Sequence, residues 1–168
     1  THLASSAASD VYKRQNRCKA IMQKYGIENG VVNAGGDLIC WGKQKNGKPW
    51  TIGIADPNQK ESALSYLEIS DQAVVTSGNY ERFVEFDGVK YCHIIHPKTG
   101  WPVELLNSVT VICADAELAD ALATSVFILG VDKGIDLVNK LKGIDCFIID
   151  KNNKLHVSKN IELEYLEE

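Results

Sequence analysis

At 168 residues, 45% hydrophobic and 24% charged, the chain has ordinary globular composition and enough length for one domain with a real core. Its net charge of −4, with no cluster of lysine or arginine, excludes a nucleic-acid surface, which needs several cations set against phosphates. No apolar run approaches the roughly 20 residues of a membrane helix, and no basic segment followed by an apolar stretch marks a secretory signal.

Residues 1–15 do not read like the rest, being small and polar with no core periodicity. Residues 6–15 resemble a read-end artefact that recurs in proteins predicted from assembled environmental DNA. The segment 1–15 is therefore set aside as non-native, and the domain is taken as 16–168. From Asn16, the apolar positions Cys18, Ile21, Met22 and Tyr25 follow helical spacing up to Gly26. Short strands are predicted over 31–34, 38–41 and 49–55, the last ending at Asp56-Pro57. Two more are predicted over 66–69 and 73–76, the second running into Ser77-Gly78-Asn79-Tyr80.

Asp87-Gly88, flanked by predicted strands over 82–86 and 89–95, is a two-residue type I′ hairpin signal. A further strand is predicted over 108–113. Residues 116–129 are apolar all round and rich in helix formers, which predicts a mostly buried helix closed by Gly130, and a second helix follows over 131–141. Strands over 146–149 and 154–157 should pair across Asp150-Lys151-Asn152-Asn153, and the acidic tail from Glu162 should be exposed. Many antiparallel strands with flanking helices define an α+β fold.

Five cysteines, odd in number and widely spaced, form no C-x-x-C pair, which argues against a disulfide framework or a thiolate zinc site. Cys40, Cys92, Cys113 and Cys146 sit inside apolar runs and should be small buried hydrophobes, as suits a reducing compartment or an anaerobic life.

The run from His93 to Pro102 places two imidazoles at a predicted strand end. Period-two alternation sends His93 and Ile95 to one face and Ile94 and His96 to the other. Pro97 and Lys98-Thr99-Gly100 then supply a turn whose N–H groups could face an anion. A strand end that merely contains histidine fits the same run.

Asp120 and Thr124 lie four apart and project from one helix face. A carboxylate and a hydroxyl on an otherwise apolar helix suit a hard cation such as Mg²⁺, which combines few protein ligands with substrate phosphates. The alternative puts Asp120 on an exposed edge and bonds Thr124 back to the carbonyl of residue 120. Gly35-Gly36 and Ser77-Gly78 permit close approach of a phosphate but equally fit ordinary turns.

Taken together, Asn33-Ala34-Gly35-Gly36-Asp37, residues 76–82 (Thr-Ser-Gly-Asn-Tyr-Glu-Arg), the run from His93 to Pro102, and Ala119-Asp120-Ala121-Leu122-Ala123-Thr124 resemble, in order and interval, the C-terminal half of the ApbE family of FAD:protein FMN transferases. The resemblance covers residue 16 to the C-terminus and implies a T-fold-like α+β domain, mainly antiparallel. It implies Mg²⁺-dependent transfer of FMN from FAD to a threonine of a target protein, with release of AMP. Asp120 and Thr124 match the family's magnesium ligands. Ile94 matches a flavin-contacting position acting through backbone, and Thr76, Ser77 and Gly78 match the loop near the FAD diphosphate. His93 matches the site histidine, a proton acceptor for the target threonine, whereas His96 departs from the commoner aspartate.

The resemblance also implies an upstream segment supplying isoalloxazine contacts, a lysine-glycine motif and one more magnesium ligand. That segment is not in this sequence, so an N-terminally truncated domain that binds FAD poorly is expected. Members are often exported and lipid-anchored, and any membrane association would come from an anchor further upstream. FAD and a flavin-accepting protein are the implied partners. The competing readings are an FAD pyrophosphatase, with water in place of threonine, and an FAD-binding module or inactive fragment.

Overall fold

The computed structural model describes residues 3–55, 63–80 and 83–161. Its centre is a six-stranded sheet in the order β1 (Gly30–Ala34), β2 (Asp37–Trp41), β5 (Ala73–Gly78), β8 (Leu106–Cys113), β9 (Asp145–Asp150) and β10 (Leu155–Val157). Every described strand pair is antiparallel, as expected. Two hairpins stand outside the sheet: β3 (Trp50–Ala55) with β4 (Ala63–Ile69), and β6 (Phe83–Phe86) with β7 (Val89–Cys92). The helices are α1 (Leu3–Lys24), α2 (Ala116–Leu129) and α3 (Val131–Lys140).

Alternation along the central strands gives the sheet two unlike faces. Ala73 and Val75 of β5, with Val109, Val111 and Cys113 of β8, share a core with Ala119, Ala123, Val126 and Phe127 of α2. Val74, Ile112 and Phe147 face the other way and pack with Ile52, Ile54 and Ile69 of the β3–β4 hairpin. Helices thus cover one face and a hairpin covers the other. Each fully buried side chain of the Val126 or Phe127 kind contributes roughly 1.5–3 kcal/mol.

The turn chemistry acts where it was expected. Asp87 and Gly88 both take positive φ, 50° and 76°, and close the type I′ hairpin between Phe86 and Val89. Gly35 and Gly36 do the same, with φ of 77° and 108°, between Ala34 and Asp37. The glycine pair is therefore a hairpin turn of the ordinary kind. Gly130, with φ of 77°, separates α2 from α3.

Several expectations need correction. The first helix spans Leu3–Lys24 rather than beginning at residue 16, and Gln15 is buried there and donates from Nε2 to the Asp37 carbonyl at 2.8 Å. Its apolar spacing begins only at Cys18, so the earlier turns carried no signal. Helix α2 is buried along one face only, with Leu118 and Leu129 exposed. Strand β7 stops at Cys92, before the two histidines. Asp56-Pro57, Glu81-Arg82 and the tail from Glu162 lie outside the described residues. Cys40, Cys92, Cys113 and Cys146 are buried free thiols, as expected.

Candidate active site

Helix α2 begins where Asp115, in extended conformation, accepts hydrogen bonds from the N–H groups of Glu117 at 2.8 Å and Leu118 at 3.0 Å. This cap satisfies two orphan donors and fixes the helix start. Asp120 and Thr124 follow one turn apart, both half-buried. The Thr124 hydroxyl does not make the back-bond to residue 120 that the alternative reading called for. Its Oγ1 lies 3.3 Å from Oγ of Ser77, which is 8% exposed at the end of β5. The back-bond to a helix carbonyl is made one residue later, by Ser125 to Ala121 at 2.7 Å.

The fold thereby brings together two motifs 47 residues apart in sequence. It also divides one of them. Thr76 points to the opposite face of the sheet from Ser77, where its Oγ1 lies 2.8 Å from Thr110 Oγ1 and its N–H donates to the Asp37 carboxylate at 3.0 Å. Gly78 has no side chain for a reason: a Cβ there would come within 2.8 Å of the Tyr80 ring.

His93 is exposed just beyond β7, with its Nδ1 3.9 Å from the Cys92 sulfur. Ile94 is 5% exposed and belongs to the same core as Ala119 and Ala123, which flank Asp120 and Thr124 in sequence. Its N–H points at the Cys92 sulfur at 3.4 Å, and its carbonyl accepts from Val103 N–H at 2.9 Å. His93 and Ile95 are exposed while Cys92 and Ile94 are buried, so the alternation read from sequence survives past the strand end.

His96 holds a turn. Its backbone N–H donates to Trp101 and its carbonyl accepts from Gly100, both at 2.9 Å, while Nδ1 accepts the Lys98 N–H at 3.2 Å. An aspartate does the same work in an Asx-turn.

A cavity of about 330 Å³ opens under the β6–β7 hairpin beside Cys92, with Lys90, Lys151 and Glu104 in its wall. Lys90 lies over the Phe83 ring, 4.6 Å from its centroid. Sequence reasoning missed both lysines, because each is a lone cation in a hairpin and only the fold joins them. Among the described residues, no three His, Cys, Asp or Glu side chains converge as a metal cluster would require.

The chain belongs to the ApbE family, whose model matches residues 15–148. Residues 1–14 lie outside the match. The FAD:protein FMN transferase of Klebsiella pneumoniae (strain 342) is 35% identical over 152 residues, 89% of this chain and 46% of that protein. The FAD:protein FMN transferase of Vibrio cholerae (strain O395) is 40% identical over 116 residues, 68% of this chain and 35% of that protein. The crystal structure of the ApbE protein from Thermotoga maritima matches with a TM-score of 0.79 at 36% identity, covering 86% of this chain and 48% of that one. The flavin transferase ApbE from Vibrio cholerae matches with a TM-score of 0.75 at 32% identity, covering 89% and 48%. The chain spans about half the length of these relatives, or less.

Proposed function

We propose that this protein belongs to a flavin transferase that moves FMN from FAD onto a threonine hydroxyl of a target protein. The observation that carries the reading is the 3.3 Å approach of Ser77 Oγ to Thr124 Oγ1 with Asp120 one turn away, which gathers oxygen ligands from two motifs at one junction. The relatives named FAD:protein FMN transferase support it.

In this reaction the threonine oxygen bonds to the FMN phosphorus, the bond from that phosphorus to the AMP oxygen breaks, and AMP leaves with the electron pair. The hydroxyl proton passes to His93, whose exposed imidazole is the base for an otherwise weak nucleophile. Asp120 and Thr124 fit Mg²⁺ by donor type, and with no further carboxylate converging among the described residues, diphosphate oxygens and water would complete the shell. When bound, that ion would supply charge neutralisation for the separating phosphates. Ser77 lines the approach to the diphosphate, and Gly78 ends the strand beside it. Ile94, with its side chain in the core, meets the flavin through its backbone.

Incubating the protein expressed from its gene with FAD, Mg²⁺ and an acceptor protein should yield a flavinylated threonine, read by intact mass and in-gel fluorescence, with one AMP released per flavin attached. Free FMN and AMP formed without any acceptor would mark an FAD pyrophosphatase. A folded protein that gives neither product would overturn the proposal.

A further inference from the structure

Directly paired residues of a hairpin share a face, so the register Phe83–Cys92, Val84–Tyr91, Glu85–Lys90 and Phe86–Val89 sorts β6 and β7 into two faces. One face holds Phe83, Glu85, Lys90 and Cys92, and Phe83, Lys90 and Cys92 line the cavity of about 330 Å³ beneath it. The other holds Val84, Phe86, Val89 and Tyr91, carries no charge, and is turned outward: Val84 is 69%, Phe86 66% and Val89 48% exposed. An antiparallel pair with one solvated face ordinarily places its polar residues there. In this hairpin the order is reversed.

A contiguous apolar face marks a contact surface, and its position selects the partner. The alternation that sets Val89 and Tyr91 on the outer face continues past the strand end, where Cys92 and Ile94 are buried while His93 and Ile95 are exposed. Val89, Tyr91, His93 and Ile95 thus form one row, with Val84 and Phe86 beside it on the paired strand. A protein that brings a hydroxyl to His93 must lie along this row. At about 3.3 Å per residue, the four steps from Val89 to His93 span ~13 Å, which a short extended segment covers. Because the face carries no charge, it calls for apolar side chains next to that hydroxyl.

We propose that the outer face of the β6–β7 hairpin docks the acceptor protein, taking an extended segment with its threonine at His93 and apolar side chains two and four residues away over Tyr91 and Val89. The proposal rests on the reading of His93 as the base for that threonine. Val84 and Phe86 belong to none of the groups assigned to FAD or the metal, so they act on the acceptor alone. Their loss raises the KM for acceptor and leaves the KM for FAD unchanged.

The test uses the protein expressed from its gene and two fluorescein-labelled peptides, Val-Ser-Val-Ser-Thr-Ser-Val-Ser-Val-Lys-Lys and the same peptide with serine in place of every valine. Polarisation titrations without FAD should show saturable binding of the valine peptide, weaker by at least about tenfold for the serine peptide and in Val84→Ser and Phe86→Ser. Tyr25→Ser, which removes an exposed ring after α1, should bind like the parent, and circular dichroism reports the fold of each variant. Equal binding of the two peptides, unchanged affinity in both hairpin variants, or no binding at all would overturn the proposal. Self-association that weakens in Phe86→Ser, with the peptides unbound, would overturn it in favour of a second copy of the chain. With FAD and Mg²⁺ added, mass spectrometry separates docking from transfer. Hairpin-dependent binding with no flavin on the threonine overturns transfer and leaves the docking face standing, whereas flavin attached with the same acceptor KM in parent and hairpin variants overturns docking alone.

Discussion

Ser77 Oγ and Thr124 Oγ1 stand 3.3 Å apart, farther than the 2.8 Å that joins Thr76 to Thr110 on the other face of the same strand pair. Hydroxyl pairs that bond well lie at about 2.7–2.8 Å, so the longer pair contributes little to holding α2 against β5. Its oxygens remain available to a ligand between strand and helix.

Asp120→Ala should lower the rate of flavin transfer by at least about 100-fold, because electrostatic stabilisation at phosphates is worth several kcal/mol. The melting temperature should stay within a few degrees of the parent, since the side chain is only half-buried. Single-turnover assays beside thermal melts separate the two. An equal loss of stability and rate would show Asp120 to be structural.

Gly134→Ala tests the α2–α3 packing. Replacing a helical glycine by alanine ordinarily gains about 1 kcal/mol. Here the added Cβ would meet Val126 Cγ1 at 2.7 Å and the Val126 carbonyl at 3.4 Å, with Ile148 behind at 3.5 Å. Overpacking costs about 1–3 kcal/mol, so the variant should be net destabilised in urea unfolding. A more stable variant would show that the two helices can move apart.

Burial pushes the Cys146 thiol up from 9.0 to about 12, with the Asp145 carboxylate adding to the effect, and burial also raises Cys40 and Cys113. A raised value means that the folded state keeps a proton which the unfolded chain gives up. The stabilisation is therefore complete below pH 9 and is lost as pH climbs toward 12. For Cys146 the limit is on the order of 4 kcal/mol. Urea midpoints from pH 8 to 11 should fall, and less steeply in Cys146→Ala.

On the acid side, Asp150 is held below its ordinary value of 3.8, first by the hydrogen bond from His156 Nε2 at 3.0 Å and then by the Lys154 N–H at 3.0 Å. A lowered carboxyl contributes stability that is present above pH 3.8 and is lost as pH falls through the folded value. Asp150→Asn should flatten the acid unfolding profile in that window. Circular dichroism between pH 5 and 2 measures it.

Much of this molecule was legible because local chemistry and tertiary demand agree in it. Asp87-Gly88 specifies its turn wherever it falls, and the residues from Ala116 to Gly130 carry their own cap and stop. Residues 3–15 became helical without any apolar periodicity to announce it. The candidate site was proposed from the resemblance and from the four-residue spacing of Asp120 and Thr124. The meeting of Ser77 with Thr124 was not, because it depends on which face of β5 the helix crosses. Nor was the separation of Thr76 from Ser77 drawn out, although strand alternation alone requires it.

That separation makes β5 a two-sided element whose neighbouring hydroxyls serve different faces of the sheet. Sliding β5 by one residue against β8 would exchange them, carrying Thr76 toward the helix and Ser77 to the opposite face beside Thr110. An insertion or deletion anywhere within β5 would therefore rewire both faces at once, even if the strand kept its length and composition.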